Sequence, residues 1–479
     1  MDGFMVRRGA QILARIIAPG LVCIIVASCK DKSRNESIII TEVPANIQRS
    51  DSLFEEPDRY LPGARIAILN PDDPASHRVL TGDFYSASSP VVSYDGKKLL
   101  FAAQQKENGL YQIWEMDLDD LGTRKVVSLN ENCTDPVYLP DGRLVFSRQT
   151  INDTIRKGNP LYVSNPDGSA VMPITFSPDV IKAPNVLKDG RLLAISRQLI
   201  PEGSPMLMVL RPDGTKADMF YNGNGSKALI GRAKETSDGR IIFIEYGNHN
   251  DPGGDIISIH YNRPLHSAVN LTAGINGSFR AVLPLQSGRM LVSYRGSGGD
   301  NYSLYEFDPV KKNPDRKVYT DPGYDIIDIV AAAKSERPKK LPSEVDMNVK
   351  TGLLLCQDIN VTAPNGKLNN MDTRKAALIE VMGIDSSYGI VPVDSDGSFY
   401  LKVFADKPFQ IRTLNKDGKI LDGPCSWLWL RPNERRGCVG CHEDPELVPA
   451  NRIPLAVKKQ PVIIPVHISK VKEKVVELE

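Results

Sequence analysis

The sequence has almost no excess of charge of either sign: 59 Lys and Arg stand against 58 Asp and Glu over 479 residues. Nucleic acid and anionic bilayers both select for a basic surplus, so neither is expected as the main partner. Aromatic residues are few, at 7%. Beyond the N-terminus no apolar run is long enough to span a bilayer. A nucleophile elbow, a phosphate loop and a paired-carboxylate motif are also missing, which leaves hydrolytic and nucleotide chemistry without a footing. What is plentiful is Gly (37) and Pro (35), the residues of turns and short strands rather than long helices.

The first residues have the layout of an export signal. Arg7, Arg8 and Arg15 form a positive region, Ile16 to Val26 an apolar one too short to span, and Val26-Ala27-Ser28-Cys29 a lipobox-like end. Residues 1–28 therefore read as a lipoprotein signal peptide, and Cys29 as the acylated first residue of the mature chain. An ordinary signal peptide with a chance Cys is the alternative. Several acyl chains anchor stably, at about 0.8 kcal/mol per buried methylene. The expected location is outside the cytoplasm, lipid-anchored to a bacterial membrane and periplasmic or surface-facing. Residues 29–61 read as a polar tether with one short apolar run, Ile38–Ile40.

From about residue 62 the chain repeats. Asp95-Gly96, Asp141-Gly142, Asp189-Gly190, Asp238-Gly239 and Ser287-Gly288 each precede an apolar strand, with the glycines 46, 48, 49 and 49 residues apart. Such turns need a positive φ that Gly accepts freely, which makes them strong hairpin signals. A second apolar strand follows each, as at Tyr111–Met116 and Leu161–Ser164. Four short strands per period of just under fifty residues is a propeller blade. The expected fold is all-β: a six-bladed β-propeller over 62–336, with seven blades as the other count, and the sixth blade spliced from Tyr324–Ala333 and Arg65–Leu69. A basic linker, Lys334–Pro342, leads to a small β-sandwich over 345–424. An irregular C-terminal haem c attachment segment (425–455) and a tail (456–479) follow.

That segment carries Cys438-Val439-Gly440-Cys441-His442. In a C-x-x-C-H motif the two thiols add across the haem vinyl groups and the adjacent His takes the iron's axial position. Cys438 and Cys441 are thus the expected thioether positions of one covalent haem c, and His442 the iron ligand. A structural zinc site or a redox dithiol are the alternatives. Zinc usually wants two spaced ligand pairs, and one is present here. Arg435 and Arg436 are candidates for propionate contacts, with plain surface charge as the other reading. The sixth ligand stays open among His467, His249, His260, His266, a Met or none. Arg148-Gln149, Arg197-Gln198 and Arg295 end equivalent strands, where solvated ends compete with an anion-binding face. Export permits disulfides, so Cys133, Cys356 and Cys425 are either thiols or include a Cys356–Cys425 bridge.

The repeats, the Thr351-Gly352-Leu-Leu-Leu-Cys356 and Asp396-Gly397-Ser-Phe-Tyr-Leu-Lys-Val strands, and Ser426-Trp427 to Arg431-Pro432-Asn433-Glu434-Arg435-Arg436-Gly437-Cys438 resemble one family. They are similar to proteins related to the hydrazine synthase alpha subunit, whose repeats resemble TolB-type propellers, over about residues 65–455. The resemblance implies a haem-bearing segment beside a six-bladed ring and redox chemistry outside the cytoplasm. Longer members continue into a further C-x-x-C-H domain, whereas one such motif is present here. The expectation is a single-haem protein that works with a redox partner. A propeller that binds protein or ligand, with the motif structural, is the other reading.

Overall fold

The computed structural model describes residues 37–45, 60–152, 154, 156–197, 205–223, 228–246, 253–299, 301–361, 375–440, 446 and 451–465. Over these the chain is all-β, with a single short 3-10 turn at Leu455–Lys458. Six four-stranded antiparallel sheets follow one another along residues 38–331. Five begin with the strands Ser86–Val92, Cys133–Tyr138, Val180–Val186, Ala228–Glu235 and Gly277–Pro284. Each of these first strands runs into the Asp-Gly or Ser-Gly turn and returns as the second strand. The turn glycines hold φ of 77°, 91°, 91°, 78° and 82°, the conformation for which Gly was expected there.

The remaining sheet closes the ring. Tyr324–Ala331 pairs with Ile38–Pro44, which pairs in turn with Arg65–Asn70. Residues 38–44 are therefore a strand inside a sheet and not part of the expected tether. The reason is local: Ile38, Ile39 and Ile40 are β-branched and apolar, and all three are buried. First and last segments thus share one sheet, which leaves no open edge at the splice. Arg65 locks it, with Nε 2.7 Å from the buried Glu42 and Nη2 2.9 Å from Asp321.

The first strands of all six sheets touch their neighbours around the axis. All six pair with a register shift, at Ser88/Val91, Thr134/Val137, Lys182/Asn185, Ile230/Lys234 and Phe279/Ala281, and in the closing sheet opposite Thr41/Glu42. Equivalent positions at the shift are Pro90, Pro136, Pro184, Arg232 and Arg280, with Asp328 in the closing sheet, at intervals of 46, 48, 48, 48 and 48 residues. Proline suits a bulge because it has no N–H to lose from the ladder.

Asp179, just before the third of these strands, is a buried acid. Ser177 Oγ donates to its Oδ2 at 2.9 Å, and Oδ1 has no hydrogen-bond partner among the described residues. Burial pushes its pKa up from the ordinary 3.8 to about 6. The native state then holds more protons than the unfolded chain between these values, so stability falls as pH rises from about 4 to about 6. Asp179→Asn is expected to gain about 3 kcal/mol at pH 7 and almost nothing at pH 3.5. Urea unfolding at the two pH values checks this; an equal effect at both would overturn it.

Past the ring, Lys334–Pro342 is no loose linker. Arg337 Nη1 donates to Pro140 O at 3.0 Å, Lys339 N to Lys188 O at 3.1 Å, and Ser343 and Glu344 N bond to Asp213. It runs across the turns of successive sheets. A Cβ on Gly190 would stand 2.1 Å from Lys339 O, so the turn glycine also gives the linker its seat. Two further four-stranded sheets then face each other over a core of Leu354, Ile379, Val381, Leu401, Val403 and Ile411.

Candidate functional site

The segment expected to be irregular is built into the sandwich. Phe409 and Leu428 exchange backbone bonds at 2.8 Å, which fixes the entry. Trp429 leaves the sandwich and enters the ring's own core, among Val163, Ile174, Phe176, Leu192 and Leu210, at 2% exposure. Its indole N–H donates to Gly214 O at 3.3 Å. Trp429→Ala would leave a large cavity and an unpaired carbonyl, a loss of about 3–5 kcal/mol. The expected result is a lower melting temperature with ring and sandwich unfolding separately; a single unshifted transition would count against it.

Arg431-Pro432-Asn433-Glu434 reverses the chain. Glu434 N donates to Arg431 O at 2.9 Å and Asn433 holds φ 67°, with Pro one place earlier, as a type II turn requires. Glu434, 3% exposed, then organises everything around it. Its Oε1 accepts from Lys216 N at 2.8 Å and from Arg436 Nε and Nη2 at 3.1 and 2.8 Å, and its Oε2 accepts from Arg431 N at 2.7 Å. Arg431 also pairs with Asp406 at 2.9 Å, and desolvation holds its pKa below the usual arginine value. Sequence reasoning passed over Glu434; a carboxylate between three arginines is the signal that was available.

Arg435–Cys438 then forms the edge strand of one sandwich sheet, parallel to Thr351–Cys356. Gln357 N donates to Cys438 O at 2.9 Å and Asp358 N to Val439 O at 3.0 Å. Gly440 packs so closely on Val361 that a Cβ would come within 2.3 Å of its carbonyl oxygen. Cys438 is half-buried, Arg435 is exposed, and Arg436 is taken up by Glu434. Cys441 and His442, like Cys29, His249 and His467, lie outside the described residues.

The chain on either side of Cys441–His442 is firmly held. Downstream, Arg452 Nη2 bonds to Gln357 O and Asp396 O, both at 2.8 Å, and Arg452 pairs with Asp358 and Asp396. Glu446 accepts from Leu265 N at 2.6 Å and meets Arg263 at 3.5 Å. That places the ring loop bearing His260 and His266, both exposed, beside the segment four residues beyond His442.

Cys133, Cys356, Cys425 and Cys438 are all thiols here. Cys133 belongs to the ring, and burial pushes its pKa up to about 12. Cys425 donates to Ser426 O and receives Ile411 N, both at 3.2 Å. The residue in register with Cys356 is Cys438, not Cys425.

Residues 349–443 match the hydrazine synthase alpha subunit middle domain, a span that starts at the first sandwich strand and ends just past His442. The chain is hydrazine synthase alpha-like. The curated hydrazine synthase subunit alpha of Kuenenia stuttgartiensis is 23% identical over 535 residues, covering 85% of this chain and 65% of that relative. The chain thus spans just under two thirds of that relative's length. The solved Kuenenia stuttgartiensis hydrazine synthase superposes with a TM-score of 0.72 at 22% identity, over 88% of this chain and 71% of that one, which shows a shared fold. TolB from Acinetobacter baumannii gives 0.39 at 14% identity, over 62% of this chain and 67% of that one. The matched span contains the sandwich strands from Thr351 to Cys438 and the C-x-x-C-H sequence.

The described part of the site suits a haem c. Cys438 ends an edge strand with a half-buried side chain packed against the sandwich core, while the opposite face at Gly437 is open, since a Cβ there would meet nothing within 4 Å. The open face at Gly437, at the sheet edge and one residue from Cys438, leaves room for a large flat ring beside the strand.

Proposed function

We propose that this is an exported, lipid-anchored protein with one haem c, carried beside a six-bladed propeller and used in electron transfer or redox chemistry with a partner protein. The observation that carries the reading is Cys438, half-buried at the end of an edge strand inside a domain matched to the hydrazine synthase alpha subunit middle domain. The six sheets are read as the blades. Cys29 would hold the lipid and fix the protein outside the cytoplasm. Homology to a subunit of a larger enzyme favours protein partners.

Cys438 and Cys441 would hold the haem by thioethers and His442 would ligate its iron. When bound, the group supplies one-electron redox chemistry. The chain's own residues set its surroundings. The parallel pairing from Leu353 to Asp358 holds Cys438 in place, and Glu446 and Arg452 hold the chain further on. Arg436 keeps a charge near the site but is shared with Glu434, which leaves the exposed Arg435 as the better propionate contact.

Absorbance of protein made alongside haem-attachment machinery tests the reading. A Soret band that survives denaturation and sharpens on reduction is expected. Stoichiometric zinc with no Soret band would favour the propeller-based binding lipoprotein instead.

A further inference from the structure

Cys356 and Cys438 are direct register partners on adjacent parallel strands, so their side chains leave the sheet on the same face. Burial agrees: Gly352, Leu354 and Cys356 point into the sandwich core, and Cys438 packs against that core. Neighbouring strands lie about 4.8 Å apart, inside the range of about 4.4–6.8 Å that disulfide-linked Cα atoms span. A bridge also needs the Cβ atoms to close to about 3.8 Å. The Arg435–Cys438 strand is an edge, unpaired on its outer side, so it can make that small inward shift.

We propose that, once the chain is exported and before haem is attached, an oxidant joins the Cys356 and Cys438 thiols in a disulfide, which withholds Cys438 from haem attachment until a reductant opens it. The oxidant is an exported protein carrying a reactive disulfide. The Cys438 thiolate, the more exposed of the two, attacks that disulfide and forms a mixed disulfide, releasing one thiol of the oxidant. The buried Cys356, as thiolate, then displaces the second thiol. Two thiols have lost two protons and two electrons, and the oxidant leaves as a dithiol. A dithiol reductant reverses the sequence and returns both thiols, after which Cys438 is free to form its thioether. Cys425 is the internal control, since its thiol is already engaged with Ser426 O on the other sheet.

The bond itself does not depend on the haem reading; its effect on loading does. Full-length protein exported without haem-attachment machinery is alkylated, digested without reduction and analysed by mass spectrometry. A linked peptide containing Cys356 and Cys438 is expected. A Cys438–Cys441 bridge alone, or full alkylation of Cys356, would overturn the proposal. Haem loading in vitro is the second arm. Prior reduction should raise covalent haem several-fold in the wild type and Cys425→Ala, yet far less in Cys356→Ala, where Cys438 cannot be tied back. An equal dependence on reduction in all three would defeat the gating role. Absence of haem from every protein, with the linked peptide present, would overturn the haem reading and leave the disulfide standing.

Discussion

Replacing Cys438 and Cys441 together with Ala is expected to abolish the covalent haem band on a denaturing gel while leaving the fold intact. The two thioethers are the only covalent attachment the motif provides, so the loss should be complete and not graded. Cys438 ends an edge strand and is half-buried, so losing its sulfur removes little packing. The haem-free variant should therefore melt within about 2 °C of reduced haem-free wild type, the shift that a loss of a few tenths of a kcal/mol produces in a chain of this size. Cys438→Ala alone would leave one thioether and a weaker, red-shifted band. His442→Ala should keep the attachment and alter the spectrum, because it removes an iron ligand and neither thioether. A band that persists in the double variant would sink the proposal, and so would haem lost only because the protein unfolds.

The ring was the most legible part of the chain. Turn glycines with positive φ recur at an almost constant interval, and each precedes an apolar strand whose alternation a core demands. Its closure was partly hidden. Ile38–Ile40 was visible as an apolar run, but a single short run inside a polar stretch looks like a tether until its partners are known. Those partners, Arg65–Asn70 and Tyr324–Ala331, begin 259 residues apart in sequence. The site was legible as a motif and illegible as a place. Five letters point to a chemistry, yet nothing in them says that Cys438 ends an edge strand or that Cys356 stands in register beside it. Parallel pairing between 353–356 and 435–438 leaves no local trace, because its register is set by the turn at Pro432-Asn433 and by the buried Glu434. Trp429 lies in an apolar stretch beside the sandwich strands, yet it fills the ring's core. An apolar side chain announces burial but not which body will bury it.

Arg232→Met should lower stability more than any other single change in the ring, by about 4 kcal/mol or more. Arg232 occupies the place that proline holds in the three preceding sheets. Its guanidinium donates to all three of those prolines: Nε to Pro184 O at 3.1 Å, Nη1 to Pro90 O at 3.1 Å and Nη2 to Pro136 O at 2.8 Å. One side chain thus ties four first strands together at the axis. The carbonyls point inward because Ser89, Asp135 and Ala183 take positive φ just before each proline, at 57°, 51° and 52°. Non-glycine residues pay about 1–2 kcal/mol each for that conformation, and the shared guanidinium offsets it. Met fills much of the volume but donates nothing, so three buried carbonyls lose a partner at about 1–3 kcal/mol apiece. Removing the buried charge returns part of its desolvation cost, which keeps the total below the simple sum. Arg232→Lys should recover only a fraction, since an ammonium lacks the planar fork that reaches three separate acceptors. Urea unfolding followed by Trp fluorescence reads the ring directly through Trp114. A midpoint for Arg232→Met within about 1 kcal/mol of wild type would show that the axis is held by the packed first strands and not by this guanidinium.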